Sequence, residues 1–268
     1  MSLSLRTIGL PALVGVFVAA IWSFHFVDSV IGDNVANGLL GYDAKAAPIT
    51  SLLAGALFAF VTGIAGTFTA CNVCVVSCVA PVAGRAPSPL AVLQPLGSML
   101  AGALLVSILY GSLGVLAGPM LPVINNEPVL GFYQGRLAQA TVVYVLIGSL
   151  MVYWGIRRIV PAPFTMGLVL GAFLIGRPFP LFRKMFEYAV STGDPAYGAM
   201  TFALQSIGNM LIVTLIILGL VTWGGRLLGW MHRNAATIAS CGFIGGGAFL
   251  LFYWGVRIPL RFGTSFGW

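Results

Sequence analysis

Three cysteines fall within eight residues in the stretch Ala70-Cys71-Asn72-Val73-Cys74-Val75-Val76-Ser77-Cys78-Val79-Ala80-Pro81. Their spacing is i, i+3, i+7, so a helix carries Cys71, Cys74 and Cys78 on one face. Two chemistries suit such a face. A thiolate can attack a partner disulfide and pass on reducing equivalents. Clustered thiols also suit a soft metal ion such as Cu(I). The third reading is packing, because cysteine in an apolar helix behaves as a small hydrophobe. A regular helix holds i, i+4 Cβ atoms about 5–6 Å apart, whereas a disulfide needs about 3.5–4.5 Å. Closing Cys74 to Cys78 therefore requires local unwinding, which Ser77, Ala80 and the helix breaker Pro81 favour. Ligands about 2.3 Å from a shared ion bridge the gap with less distortion. The fourth cysteine, Cys241, stands alone and reads as packing.

The second chemical feature is Arg177, in Gly176-Arg177-Pro178-Phe179-Pro180. An arginine inside an apolar segment is costly and marks function, unless its long side chain snorkels to the interface. Arg183 lies six residues on, about 9 Å if the chain were helical. No Asp or Glu lies inside any apolar segment. The partner of Arg177 is therefore a backbone carbonyl, a lipid phosphate or an anionic ligand, and the residue is a candidate substrate or anion contact. Pro178 and Pro180, like Pro81, are candidate helix breaks. His25 and His232 sit near segment ends without metal-ligand spacing.

These residues are embedded in a chain that is 59% hydrophobic and only 7% charged over 268 residues. A soluble domain carries about 25% charged residues to solvate its surface. The composition instead fits a surface facing hydrocarbon, and 35 glycines and 15 prolines fit close-packed membrane helices. The net charge of +7 is scattered at segment ends rather than in a basic stripe, which excludes nucleic acid as a partner and leaves membrane lipid. Apolar segments run 8–27, 49–83, 91–118, 138–156, 163–182, 198–222 and 236–257, each roughly 20 residues or longer. The expectation is an all-α integral membrane protein with about seven transmembrane helices, multi-pass in the cell membrane. Residues 1–48 form the first helix and a loop, and 49–268 a six-helix membrane domain. Basic residues divide evenly between the two sides. The segregation of all six acids to one side tips the N-terminus toward the cytoplasm. Small residues four apart, Gly97/Ala101 and Gly242/Gly246, are expected at helix contacts.

Ser77-Cys78-Val79-Ala80-Pro81, closing a glycine-rich apolar helix, resembles the Pro-Cys-x-x-Pro signature of the CcdA family of cytochrome c biogenesis proteins, which includes the DsbD transmembrane domain. Phe164-Thr-Met-Gly-Leu-Val-Leu-Gly-Ala-Phe173 resembles the start of the second repeat of that family, and Ala203-Leu-Gln-Ser-Ile-Gly208-Asn209 the helix that follows. The resemblance implies a 3+3 inverted-repeat bundle preceded here by one extra helix. It also implies a relay of reducing equivalents from a cytoplasmic thioredoxin-like protein to extracytoplasmic thiols, without a cofactor, with Cys78 as the motif thiol and Cys74 or Cys71 as its partner. The chain departs from the signature in two ways. Ser77 stands where the first proline belongs, and Gly176-Arg177-Pro178-Phe179-Pro180 has no thiol where the second-repeat cysteine belongs. The missing thiol keeps two alternatives open: a copper-handling membrane protein, and a non-catalytic subunit or scaffold of a larger complex.

Overall fold

The computed structural model describes residues 5–23, 25–67, 90–125, 127–129 and 133–262. Apart from a two-residue antiparallel pairing of Pro128–Val129 with Tyr133–Gln134, its regular structure is helical. The helices used below are α1 (Leu5–Ile21), α2 (Asp33–Leu40), α3 (Leu52–Gly66), α4 (Leu93–Ala117), α5 (Gly135–Arg157), α6 (Pro163–Ala172), α7 (Pro180–Thr192), α8 (Pro195–Trp223) and α9 (Gly225–Phe252).

Four helical stretches are long and apolar enough to cross a bilayer: Leu90–Met120, Gly135–Arg157, Pro195–Trp223 and Arg233–Phe262. The shortest has 23 residues, and about 20 suffice for the hydrocarbon core. Their outer faces leave Leu113, Leu116, Leu146, Leu215 and Trp223 exposed, as a lipid-facing surface requires. The chain is thus an all-helical membrane protein.

The other three apolar segments hold shorter helices: Ile8–Ile21, Leu52–Gly66 and Pro163–Ala172. In two of these expected segments the helix is shorter than the apolar run, in the second because of the break expected at Pro178 and Pro180. In 8–27 the α-helix stops at Ile21, and the chain continues through a π-helical turn, His25–Gly32, into α2. The segment 163–182 is two helices, α6 and α7, separated by a break that contains Arg177. The physical reason is local. Pro178 and Pro180 disfavour the helical region for Arg177 and Phe179. Phe179 is extended (φ −57°, ψ 125°), and Pro180 opens α7 at its first turn, where its missing N–H costs nothing. Cys71, Cys74, Cys78 and Pro81 lie outside the described residues.

Helices meet where glycine removes the side chain. α3 packs on α8, α8 on α4, α4 on α6, α5 on α9, and α1 along α9. At the first of these joints, a Cβ on Gly63 would strike the Gln205 carbonyl, and one on Gly208 the Phe60 carbonyl. At the α4–α6 joint, a Cβ on Gly167 would strike the Met99 carbonyl, and one on Gly102 the Phe164 carbonyl. Gly148 and Gly247 meet reciprocally between α5 and α9. Small residues do mark the contacts, but not all those expected. Gly97 and Ala101 are exposed, and Gly97 has open space around it. On α9, Gly242 and Gly246 are part-buried, while close approaches fall at Gly245, against Pro11, and Gly247. A spacing of four fixes a helix face but not which face meets a neighbour.

Outside the spanning helices, α7 clamps the loop that precedes α3. Lys184 Nζ donates to the carbonyls of Ala44 (2.6 Å), Lys45 (2.9 Å) and Ala47. The amides of Ala46 and Lys45 hold the Asp43 carboxyl below the usual carboxylate range. Lys184→Met removes these donors. Trypsin cleavage after Lys45 should then accelerate about tenfold, equivalent to about 1.4 kcal/mol of local opening. An unchanged rate would mean the clamp contributes nothing to loop order.

Candidate functional site

The break between α6 and α7 is built from residues 173–179 in the protein interior, and Phe173, Leu174, Arg177 and Phe179 are all buried. Its freed carbonyls are met by side chains from the neighbouring spans, as hydrocarbon demands. Tyr144 of α5 donates to the Phe173 carbonyl at 3.0 Å. Tyr110 of α4 donates to the Ile175 carbonyl at 3.4 Å, and Gln139 of α5 donates its amide to the same oxygen.

Arg177 projects from this break to the end of α3. Its Nη2 donates to the Gly66 carbonyl at 3.2 Å, and only 1% of the residue is exposed. It does not snorkel. Of the partners considered from sequence, a backbone carbonyl takes one side of the guanidinium. Gly66 permits this, because a Cβ there would lie 2.8 Å from Nη1. Beside it, the Thr67 hydroxyl lies 3.2 Å from the Gly63 carbonyl and 3.1 Å from the Asn209 Oδ1 of α8. The end of α3, the break after α6 and the middle of α8 therefore converge on one buried polar patch.

That patch is incompletely satisfied. Arg177 Nε and Nη1 are buried without a hydrogen-bond partner among the described residues, and so are both amide atoms of Gln205 and Oε1 of Gln139. Gln205 is fully buried on α8, and its backbone carbonyl lies against Gly63, one turn before Gly66. Further along, Ser107 of α4 and Ser206 of α8 share a hydrogen bond. The electrostatics are one-sided. The ion pairs among the described residues are Lys45–Asp33 and Arg183–Glu187, neither of which includes Arg177. The stretch 68–89 contains no Asp or Glu, so the chain has no carboxylate to offer from there. The C-terminal end of α3 supplies a partial negative charge of roughly half an electron, too little to neutralise a guanidinium.

Of the residues singled out from sequence, Arg177, Pro178 and Pro180 are thus brought together at the break. Cys241 is a part-buried free thiol on α9. Among the described residues no three His, Cys, Asp or Glu side chains form a metal site, and the Cu(I) reading concerns cysteines outside them. Gln139, Gln205, Tyr110 and Tyr144 were missed. Their signal was available: polar side chains inside apolar segments face the bundle interior. No family model, curated protein or solved structure matches this chain.

Proposed function

We propose that the protein is a CcdA-like membrane carrier of reducing equivalents, built as two inverted three-helix halves with α1 added at the edge. The observation that carries this reading is the pairing of the helix joints. Phe60, Gly63 and Thr67 meet Gly208, Gln205 and Asn209 just as Phe164, Gly167 and Gly171 meet Gly102, Met99 and Ala103. The offset is constant along each helix, so exchanging α3 with α6 and α4 with α8 reproduces the contacts. The α5–α9 joint is reciprocal at Gly148 and Gly247, as a pair lying on the exchange axis must be. Two short helices that end in the interior fit the broken helices of inverted-repeat transporters.

In this reading the relay uses thiols of the Cys71, Cys74 and Cys78 cluster. A cytoplasmic thioredoxin-like dithiol reduces a disulfide within the cluster and becomes a disulfide itself. The cluster dithiol then passes the same two electrons and two protons to an extracytoplasmic disulfide.

The test is thiol trapping in native membranes of the parent, Cys78→Ser, and the triple serine variant of Cys71, Cys74 and Cys78. The expected result is a cluster that changes redox state with the supplied reductant, and loss of delivery to extracytoplasmic disulfides in the triple variant. Stoichiometric Cu(I) binding that the triple variant lacks would replace the relay by metal handling. A triple variant equal to the parent in both assays would leave the scaffold reading.

A further inference from the structure

We infer that the guanidinium of Arg177 is the anchor of an anion-binding site in the membrane interior, and that its ligand is a small monovalent oxyanion. The inference does not depend on the thiol relay, because none of its groups is a cysteine.

The first argument is charge. Arg177 is buried, with 1% relative accessibility, and a guanidinium is a positively charged group. A buried charge is tolerated when it is paired and hydrogen-bonded. Here one carbonyl and the end of α3 supply part of the compensation, and among the described residues no acidic side chain forms an ion pair with Arg177; Asp33, whose neighbour Gly32 packs on Phe179 of the break, is paired with Lys45. One further negative charge completes neutrality. A second would leave an excess charge in a medium of low dielectric, so a monoanion fits better than a dianion.

The second argument is the shape of the free donors. A guanidinium presents five N–H donors in a planar fork. The Gly66 carbonyl engages Nη2, and Nε and Nη1 have no partner among the described residues. Nη2 carries two hydrogens. Whichever of them the carbonyl takes, the other forms a two-donor edge with either Nε or Nη1. Such an edge matches two oxygens of one carboxylate or phosphate group. A halide, with a single centre, uses the edge less well.

The third argument is the company of Arg177. Gln205 has both a donor and an acceptor unpartnered among the described residues and is 0% exposed. Its backbone packs at the same α3–α8 joint, one turn from Gly66. Gln139 holds the carbonyl two residues before Arg177 and leaves its Oε1 unpartnered. Buried polar atoms without partners are rare and call for a missing group.

The experiment uses the full chain, purified in detergent and in nanodiscs of phosphatidylcholine. Thermal unfolding is followed while sodium bicarbonate, phosphate at pH 6, acetate, sulfate or chloride is titrated at constant ionic strength. The expected result is saturable stabilisation by bicarbonate, dihydrogen phosphate or acetate, and at least about tenfold weaker binding of sulfate and chloride. Arg177→Lys keeps the charge and loses the fork, and should weaken binding about tenfold or more. Gln205→Leu leaves the arginine in place and should weaken it about threefold to tenfold. Retention of the parent circular dichroism and elution volume shows that each variant is folded. The triple serine variant of the cysteines should bind like the parent, which separates this inference from the relay. Equal stabilisation by every salt, or binding unchanged in Arg177→Lys, would overturn the site. Stabilisation by phosphatidylglycerol nanodiscs with none by soluble anions would assign the guanidinium to a lipid headgroup and overturn the small-anion ligand.

Discussion

Leucine at Gly63 or at Gly167 is expected to cost at least about 3 kcal/mol each, enough to prevent recovery of folded protein. At both positions the added carbon would enter a backbone carbonyl, that of Gln205 or of Met99. Neither neighbour can yield by changing a rotamer. The helices would have to separate, and in lipid their association rests on close packing rather than on the hydrophobic effect. Gly97→Leu is the control. Gly97 is exposed with nothing nearby, and leucine is the better helix former, so the variant should match or slightly exceed the parent. Fluorescence-detected size exclusion of the three variants gives the readout. Equal failure of Gly63→Leu and Gly167→Leu is what paired joints require. A tolerated Gly63→Leu beside a failing Gly167→Leu would break the equivalence on which the two-half reading rests.

The class of the fold was legible because a bilayer imposes one requirement, about 20 apolar residues per span, and the sequence states it repeatedly. The lengths of the individual helices were less so. Hydropathy is blind to where a helix stops, and the segment 163–182 stays apolar straight through its break. The prolines were the better signal, since the restriction they impose on Arg177 and Phe179 is purely local. The joints were harder. Gly97/Ala101 and Gly63/Gly66 look alike as small-residue pairs, yet only the second faces a neighbour. That choice is made by tertiary packing, which no window of sequence contains. The site divides in the same way. Arg177 announced itself by type. That its guanidinium turns inward to Gly66 instead of outward to the interface depended on the break shortening α6, a fact of the three-dimensional path.

Arg177→Met should leave the ligand-free protein as stable as the parent, or more stable by up to about 3 kcal/mol. Two terms oppose each other. Removing the guanidinium leaves the Gly66 carbonyl with one donor fewer, a loss of about 1 kcal/mol. It also removes the cost of keeping an under-compensated charge out of water, which is several kcal/mol for an ion in a protein interior. Methionine is flexible and fills irregular space, so little cavity cost is added. The second term is the larger, and the unfolding midpoint of the variant should therefore not fall. Adding the anion reverses the order. A ligand that binds only the folded parent stabilises it by about 2.7 kcal/mol at a hundredfold excess over its dissociation constant, and the variant gains nothing. The two midpoints should thus cross as bicarbonate or dihydrogen phosphate is raised. A guanidinium that served only to tie α3 to the break would behave differently: Arg177→Met would then unfold several degrees lower at every anion concentration, with parallel curves. That parallel outcome would remove the functional reading of Arg177 and leave it as a structural tie.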